Sequence, residues 1–259
     1  MDKLYRIEWQ GTARHAVERD GTLSLVNGDI FGRYEAGAAI ATGSGTSFTP
    51  PVRILAPIVP GKIVAIGLNY KDHAAEQGKP LPTFPMIFLK PSTAVIAPGD
   101  TVLLPPGVGR VDHEAEMAIV IGRRATCVKA SDAAGYILGI TCCNDVTARD
   151  MQNKGVQYSH VKGFDTFAPL GPCIAVGLAP DNLAVEGAVN GVTRQSSRTD
   201  QLVFPAAALI EFISHIMTLE PGDVISTGTP SGIGPLLPGD VATITVEGVG
   251  SLTNPVAAR

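Results

Sequence analysis

The run Val111-Asp112-His113-Glu114-Ala115-Glu116-Met117-Ala118-Ile119-Val120-Ile121 sets two carboxylates at the entrance of an uninterrupted apolar segment. Met117 to Ile121 is predicted to be a buried strand, and side chains alternate faces along a strand. Glu114 and Glu116 therefore share one face at its mouth. Burying adjacent carboxylates costs several kcal/mol unless a cation or a proton compensates. Two readings stay open on these residues alone. One is a solvated Glu-x-Glu at a strand end. The other is a hard divalent cation, with Asp145 of the downstream run Cys142-Cys143-Asn144-Asp145 as third oxygen ligand.

The surrounding chain reads as short strands joined by tight turns. Gly 29 and Pro 20 in 259 residues, with aromatics at 5%, disfavour a helical bundle and make the chain β-rich. Pro-Gly-Asp recurs at Pro98, Pro221 and Pro238, each ahead of an apolar strand, and each is expected to reverse the chain. Leu4 to Ile54 alternates around Asp20-Gly21 and Asn27-Gly28-Asp29, the chemistry of hairpins. Thr42 to Pro51 reads as a connector. Residues 1–57 are thus expected to form a small N-terminal β-containing domain and 58–259 the main domain. Ser131 is expected to cap a helix, and Phe204-Pro205-Ala206 to start another whose apolar stripe is Leu209, Ile210, Phe212, Ile213, Ile216 and Met217. His215 reads as an ordinary helix histidine.

A net charge of -4 without a Lys/Arg run gives no reason to expect nucleic acid or an anionic membrane as partner. No apolar run approaches the roughly 20 residues that span a bilayer, and the N-terminus lacks a signal-peptide core, so a cytoplasmic location is expected. The four cysteines form no C-x-x-C and read as reduced core residues. His73 and Glu76, spaced i and i+3 on a short helix before Gly78-Lys79-Pro80, form either a surface pair or a catalytic dyad on a mobile lid.

Gly67-Leu68-Asn69-Tyr70 with His73 and Glu76, Phe88-Leu89-Lys90-Pro91-Ser92, His113-Glu114-Ala115-Glu116, Asn144-Asp145-Val146-Thr147-Ala148-Arg149-Asp150, Lys162-Gly163-Phe164-Asp165 and Thr227-Gly228-Thr229-Pro230-Ser231-Gly232 occur in this order. Together they resemble the fumarylacetoacetate hydrolase superfamily over roughly residues 58 to 256, most closely its small bacterial members. The resemblance implies an α+β, β-rich fold with a mixed β-sandwich or roll catalytic domain, a Mg²⁺ or Mn²⁺ ion, and a homodimer or assembly of dimers. It implies Glu114, Glu116 and Asp145 as metal ligands, and His73, Glu76 and Lys162 as catalytic groups. Gln152 and Thr229 would contact a small 2-oxo or β-diketo acid substrate. Arg149, two residues before Met151, reads as a structural ion-pair partner of a carboxylate near the metal rather than as a direct substrate contact.

The activity this implies first is hydrolysis of a C-C bond in an acylpyruvate-type acid through a metal-stabilised enolate. A hydroxyheptadienedioate isomerase or an oxaloacetate-type decarboxylase is the alternative, and a metal-stabilised scaffold without chemistry is the non-enzymatic one. Two positions depart from relatives. Leu68 stands where some mitochondrial-type members carry Arg, and the additional upstream carboxylate of the larger eukaryotic hydrolases has no counterpart.

Overall fold

The computed structural model describes residues 1–152 and 157–259. Its backbone is a thirteen-stranded sheet flanked by a five-stranded and a three-stranded sheet. Four short helices decorate them among the described residues: α1 (Lys71–Glu76), α2 (Arg149–Gln152), α3 (Ser159–Lys162) and α4 (Ala206–Ile216). The β-rich character expected from the turn chemistry, and the α+β fold implied by the resemblance, are the ones formed.

The N-terminal strands make an antiparallel meander that continues into the large sheet. Strand Lys3–Trp9 pairs with Ala168–Val176 on one side and Thr12–Arg19 on the other. Asp20 and Gly21 adopt φ of 50° and 76°, the double left-handed step of a two-residue hairpin. Thr42 to Pro51, read as a connector, is instead largely a hairpin. Strand Ser47–Thr49 turns back on Tyr34–Ser44 at Gly45, whose φ is 64°. Gly/Ser/Thr composition is common to linkers and to tight hairpins, and pairing with a neighbour decided between them.

Each Pro-Gly-Asp is a turn of one design. Gly99, Gly222 and Gly239 carry φ of 82°, 88° and 95°. In each, the Asp carboxylate accepts a hydrogen bond from the backbone N-H three residues earlier, at 2.9, 2.7 and 2.7 Å. The turns feed strands Val102–Leu104, Val224–Ser226 and Val241–Val246.

Strand Ala115–Ile121 is buried along its whole length between Ile137–Asn144 and Val224–Ser226. Burying each of Met117, Ile119 and Ile121 contributes about 1.5–3 kcal/mol. This strand is a rigid base on which Glu114 and Glu116 are mounted. Helix α4 packs Leu209, Ile210 and Ile213 inward, whereas Ile216, expected in the stripe, is 55% exposed. Pro205 is its N-cap, one residue outside the helix, and His215 is exposed. The segment after Ser131 is a 3-10 helix, Ala130–Tyr136, with no side-chain cap. Cys142, Cys143 and Cys173 are core residues as expected, but Cys127 is exposed, at φ 51°.

Candidate active site

Register brings the acidic residues together. Ala115 lies opposite Asn144 and Glu116 opposite Cys143, so Asp145 emerges beside Glu114, to whose carbonyl its N-H donates at 2.9 Å. Asn144 Oδ1 accepts the Glu114 N-H at 2.9 Å and fixes the kink between strands Val111–His113 and Ala115–Ile121. Ligand oxygens of Glu114, Glu116 and Asp145 all lie within 4.8 Å of one another, and the three side chains are buried.

Cations surround this cluster unevenly. Lys162, at the end of α3, donates to Glu114 at 2.8 Å and contacts Asp145. Lys90 also pairs with Asp145, and Arg149 pairs with Glu114 while donating to Asp112 at 2.8 Å. Glu116 has no such partner among the described residues. It accepts from Ser226 Oγ at 2.5 Å and from the Gly228 N-H at 3.0 Å.

The electrostatics follow this asymmetry. Burial opposes the charge on Glu114, but Lys162 and Arg149 outweigh it and hold its carboxyl down at about 2. Burial, then repulsion from Asp145, pushes Glu116 up to about 8. Burial also disfavours the Lys162 ammonium, yet Asp145, Glu114 and Glu116 together raise its pKa. One buried carboxylate thus lacks compensation. A donor set of carboxylate oxygens with that deficit fits a hard divalent cation and disfavours a thiolate-loving one.

His73 lines the same space, and Glu76 supports it from the exposed side of the helix. Glu76 Oε2 lies 2.8 Å from His73 Nδ1, and Gln77 Nε2 lies 2.7 Å from His73 Nε2. A carboxylate only accepts, so Nδ1 carries the proton and Nε2 accepts from the Gln77 amide. Helix α1 is docked at both ends: Asp72 accepts from Ser197 Oγ at 2.7 Å, and Glu76 Oε1 accepts from the Gly232 N-H at 3.0 Å. His73, Glu114, Glu116, Arg149, Gln152, Lys162 and Thr229 all line one cavity of about 320 Å³, closed further by Leu68, Gln77, Lys79 and Met86. Asp145 lies behind this lining, held to Lys162.

Gln152 accepts from Arg149 at 2.5 Å, and Arg149 makes the carboxylate pairing expected of it. The Thr229 hydroxyl donates inward to the Ala115 carbonyl at 2.9 Å and accepts from Gln195 at 2.7 Å. Leu68 sits at the cavity wall with φ 47°, a left-handed conformation uncommon for a branched residue.

Sequence reasoning missed Lys90, Ser226, Gln77 and Gln195. Lys90 had a readable signal: in strand Met86–Lys90 it shares the buried face with Phe88, where an unpaired lysine has no place. Gln195 had none. Fully buried, it accepts from the Ala115 N-H at 2.9 Å, donates to the Pro230 carbonyl at 2.8 Å, and so ties the carboxylate strand to the loop that holds α1.

That loop passes so close to its neighbour that Gly232, at φ 94°, would place a Cβ 2.0 Å from the Arg194 carbonyl oxygen. Gly232→Ala is expected to cost about 1–3 kcal/mol in thermal or urea unfolding, and to lower turnover by releasing Glu76. An unchanged unfolding midpoint would show that the loop tolerates the shift.

A family profile described as fumarylacetoacetate (FAA) hydrolase C-terminal matches residues 62–257. The chain belongs to the fumarylacetoacetate hydrolase family. It is similar to the crystal structure of 5-carboxymethyl-2-hydroxymuconate delta-isomerase from Mycobacterium smegmatis, with 44% identity, TM-score 0.90, and coverage of 99% of this chain and 100% of that one. It resembles fumarylacetoacetate hydrolase from Exiguobacterium antarcticum at 32% identity and TM-score 0.87, with both chains covered completely. The bovine (Bos taurus) protein named oxaloacetate tautomerase FAHD2A, mitochondrial, is 43% identical over 218 residues, 79% of this chain and 69% of its own.

Proposed function

We propose that this member of the family is a divalent-metal-dependent isomerase that shifts a proton along a 2-oxo or 2-hydroxy-enoic acid, the reaction of hydroxyheptadienedioate isomerases. The observation carrying this reading is the His73 ring. Its Nδ1 pairs with Glu76 and its Nε2 with the Gln77 amide, in a cavity that Glu114, Glu116 and Lys162 also line. Isomerisation needs a base and a charge-stabilising wall, and both are here. Relatives named as an isomerase and a tautomerase support the same choice.

In this reading Glu114, Glu116 and Asp145 would hold Mg²⁺ or Mn²⁺. The ion would supply Lewis acidity towards the 2-oxo group and its carboxylate. The substrate displaces the Gln77 amide from His73. His73 Nε2 takes a proton from the 2-hydroxyl of the dienol, or from the carbon next to the oxo group when the substrate is in its 2-oxo form, and Glu76 steadies the resulting imidazolium. Negative charge moves to the 2-oxygen, towards the Lys162 ammonium. The imidazolium then returns the proton to a more distant carbon or to the oxygen, so the enzyme ends unchanged. Gln152 and Thr229 are given substrate positioning in this reading, and the assembly proposed is a homodimer or an assembly of dimers.

The test is turnover of 2-hydroxyhepta-2,4-diene-1,7-dioate in D₂O with Mg²⁺ or Mn²⁺, read as loss of the diene absorbance and deuterium entering carbon. A parallel assay follows pyruvate release from acylpyruvates. Faster pyruvate release than isomerisation would make the chain a C-C hydrolase. Metal binding without turnover of either substrate would leave the scaffold reading.

A further inference from the structure

Lys79 stands apart from the other cations of the cavity. Arg149 is taken up by Asp112 and Glu114, and Lys162 by Glu114 and Asp145. Lys79 lines the same cavity, yet has no acidic partner among the described residues. It is exposed, whereas Glu114 and Glu116 of the same lining are buried, so the cavity runs between solvent at the one and the protein interior at the others. Its backbone is not loose chain. Gly78 turns at φ 61°, and the Lys79 N-H donates back to the Ala74 carbonyl of α1 at 3.0 Å. Lys79 therefore moves with the helix that carries His73.

A substrate whose 2-oxo acid end lies at the carboxylate cluster extends its other end towards the mouth. Ile66, Leu68 and Met86 offer an apolar wall suited to aliphatic carbons. A free ammonium at the rim is suited to an anion there. We propose that Lys79 binds a second, distal carboxylate, so that the site selects 2-oxo diacids over 2-oxo monoacids of equal chain length. This deepens the isomerase reading and rests on it for the end of the cavity where the 2-oxo group sits. Because Lys79 rides on the dyad helix, a bound distal carboxylate also holds His73 over the substrate.

The test compares 2-oxoadipate with 2-oxohexanoate, which has the same carbon chain without the distal carboxylate. Both are titrated calorimetrically into the Mg²⁺-loaded protein. Wild type is expected to favour the diacid about five- to thirtyfold, a rim contact partly screened by water. Raising ionic strength is expected to erode the preference. Lys79→Met is expected to abolish it without changing 2-oxohexanoate affinity, and Lys79→Arg to retain most of it. The assignment is overturned if wild type shows no preference or binds neither acid, if Lys79→Met keeps the preference, or if it weakens both acids equally. Deuterium exchange at C3 of both acids is measured alongside. A Lys79-dependent preference without exchange would sustain this assignment and sink the isomerase reading; exchange without preference would do the reverse.

Discussion

His73→Ala is expected to lower the rate of proton transfer by about 10²–10⁴-fold, the usual range for a positioned general base. The variant should bind metal with unchanged affinity, because His73 contacts Glu76 and Gln77 and none of the three clustered carboxylates. Glu76→Gln sharpens the argument. The substituted carboxamide keeps an oxygen for the Gly232 N-H, but it turns an NH₂ towards His73 Nδ1, where Glu76 now only accepts. The ring would then accept at Nδ1 and carry its proton on Nε2, the wrong atom for a base. Turnover should fall nearly as far as in His73→Ala, although every contact is replaced. Deuterium exchange into substrate, followed by NMR with metal present, reads both variants. A loss under tenfold in His73→Ala would remove the histidine from the chemistry.

What the sequence made readable here was local. The alternation that put Glu114 and Glu116 on one face is a two-residue property, and the His73-Glu76 contact spans less than one helical turn. The Pro-Gly-Asp turns formed as expected because Pro, Gly and Asp each act on their own backbone. Distant partners were not readable. Lys90 meets Asp145 across 55 positions, Gln195 meets Ala115 across 80, and Ser226 meets Glu116 across 110. No periodicity encodes such separations; the sheet order creates them by setting Val224–Ser226 beside Ala115–Ile121. The Thr42–Pro51 segment failed for a related reason, since strand Tyr34–Ser44 was needed to turn it into a hairpin. Thr229 shows a finer limit. The motif marked the loop, whereas the direction of its hydroxyl, inward to Ala115, depended on Gln195.

Metal uptake is expected to weaken about tenfold for each pH unit below about 8, or about a hundredfold by pH 6, because Glu116 must lose its proton to become a ligand. Glu114 does not add to this dependence, since Lys162 and Arg149 hold it ionised down to about 2. The same shift has a consequence for folding without metal. Glu116 is raised from 4.5 to about 8, so the folded chain keeps a proton over a range where the unfolded chain has released it. The stability contributed by that proton is complete below pH about 4.5 and is lost as the pH rises through about 8. Metal-free protein should therefore lose unfolding temperature between pH 5 and pH 8, and saturating Mg²⁺ or Mn²⁺ should restore most at pH 8, where the cation replaces the missing proton. Glu116→Gln should abolish both the pH-dependent loss and tight metal binding. Titration calorimetry in buffers of different ionisation enthalpy counts the proton released per metal bound. Affinity that stays flat from pH 6 to pH 8, or survives in Glu116→Gln, would mean that the uncompensated carboxylate is balanced by something other than a metal.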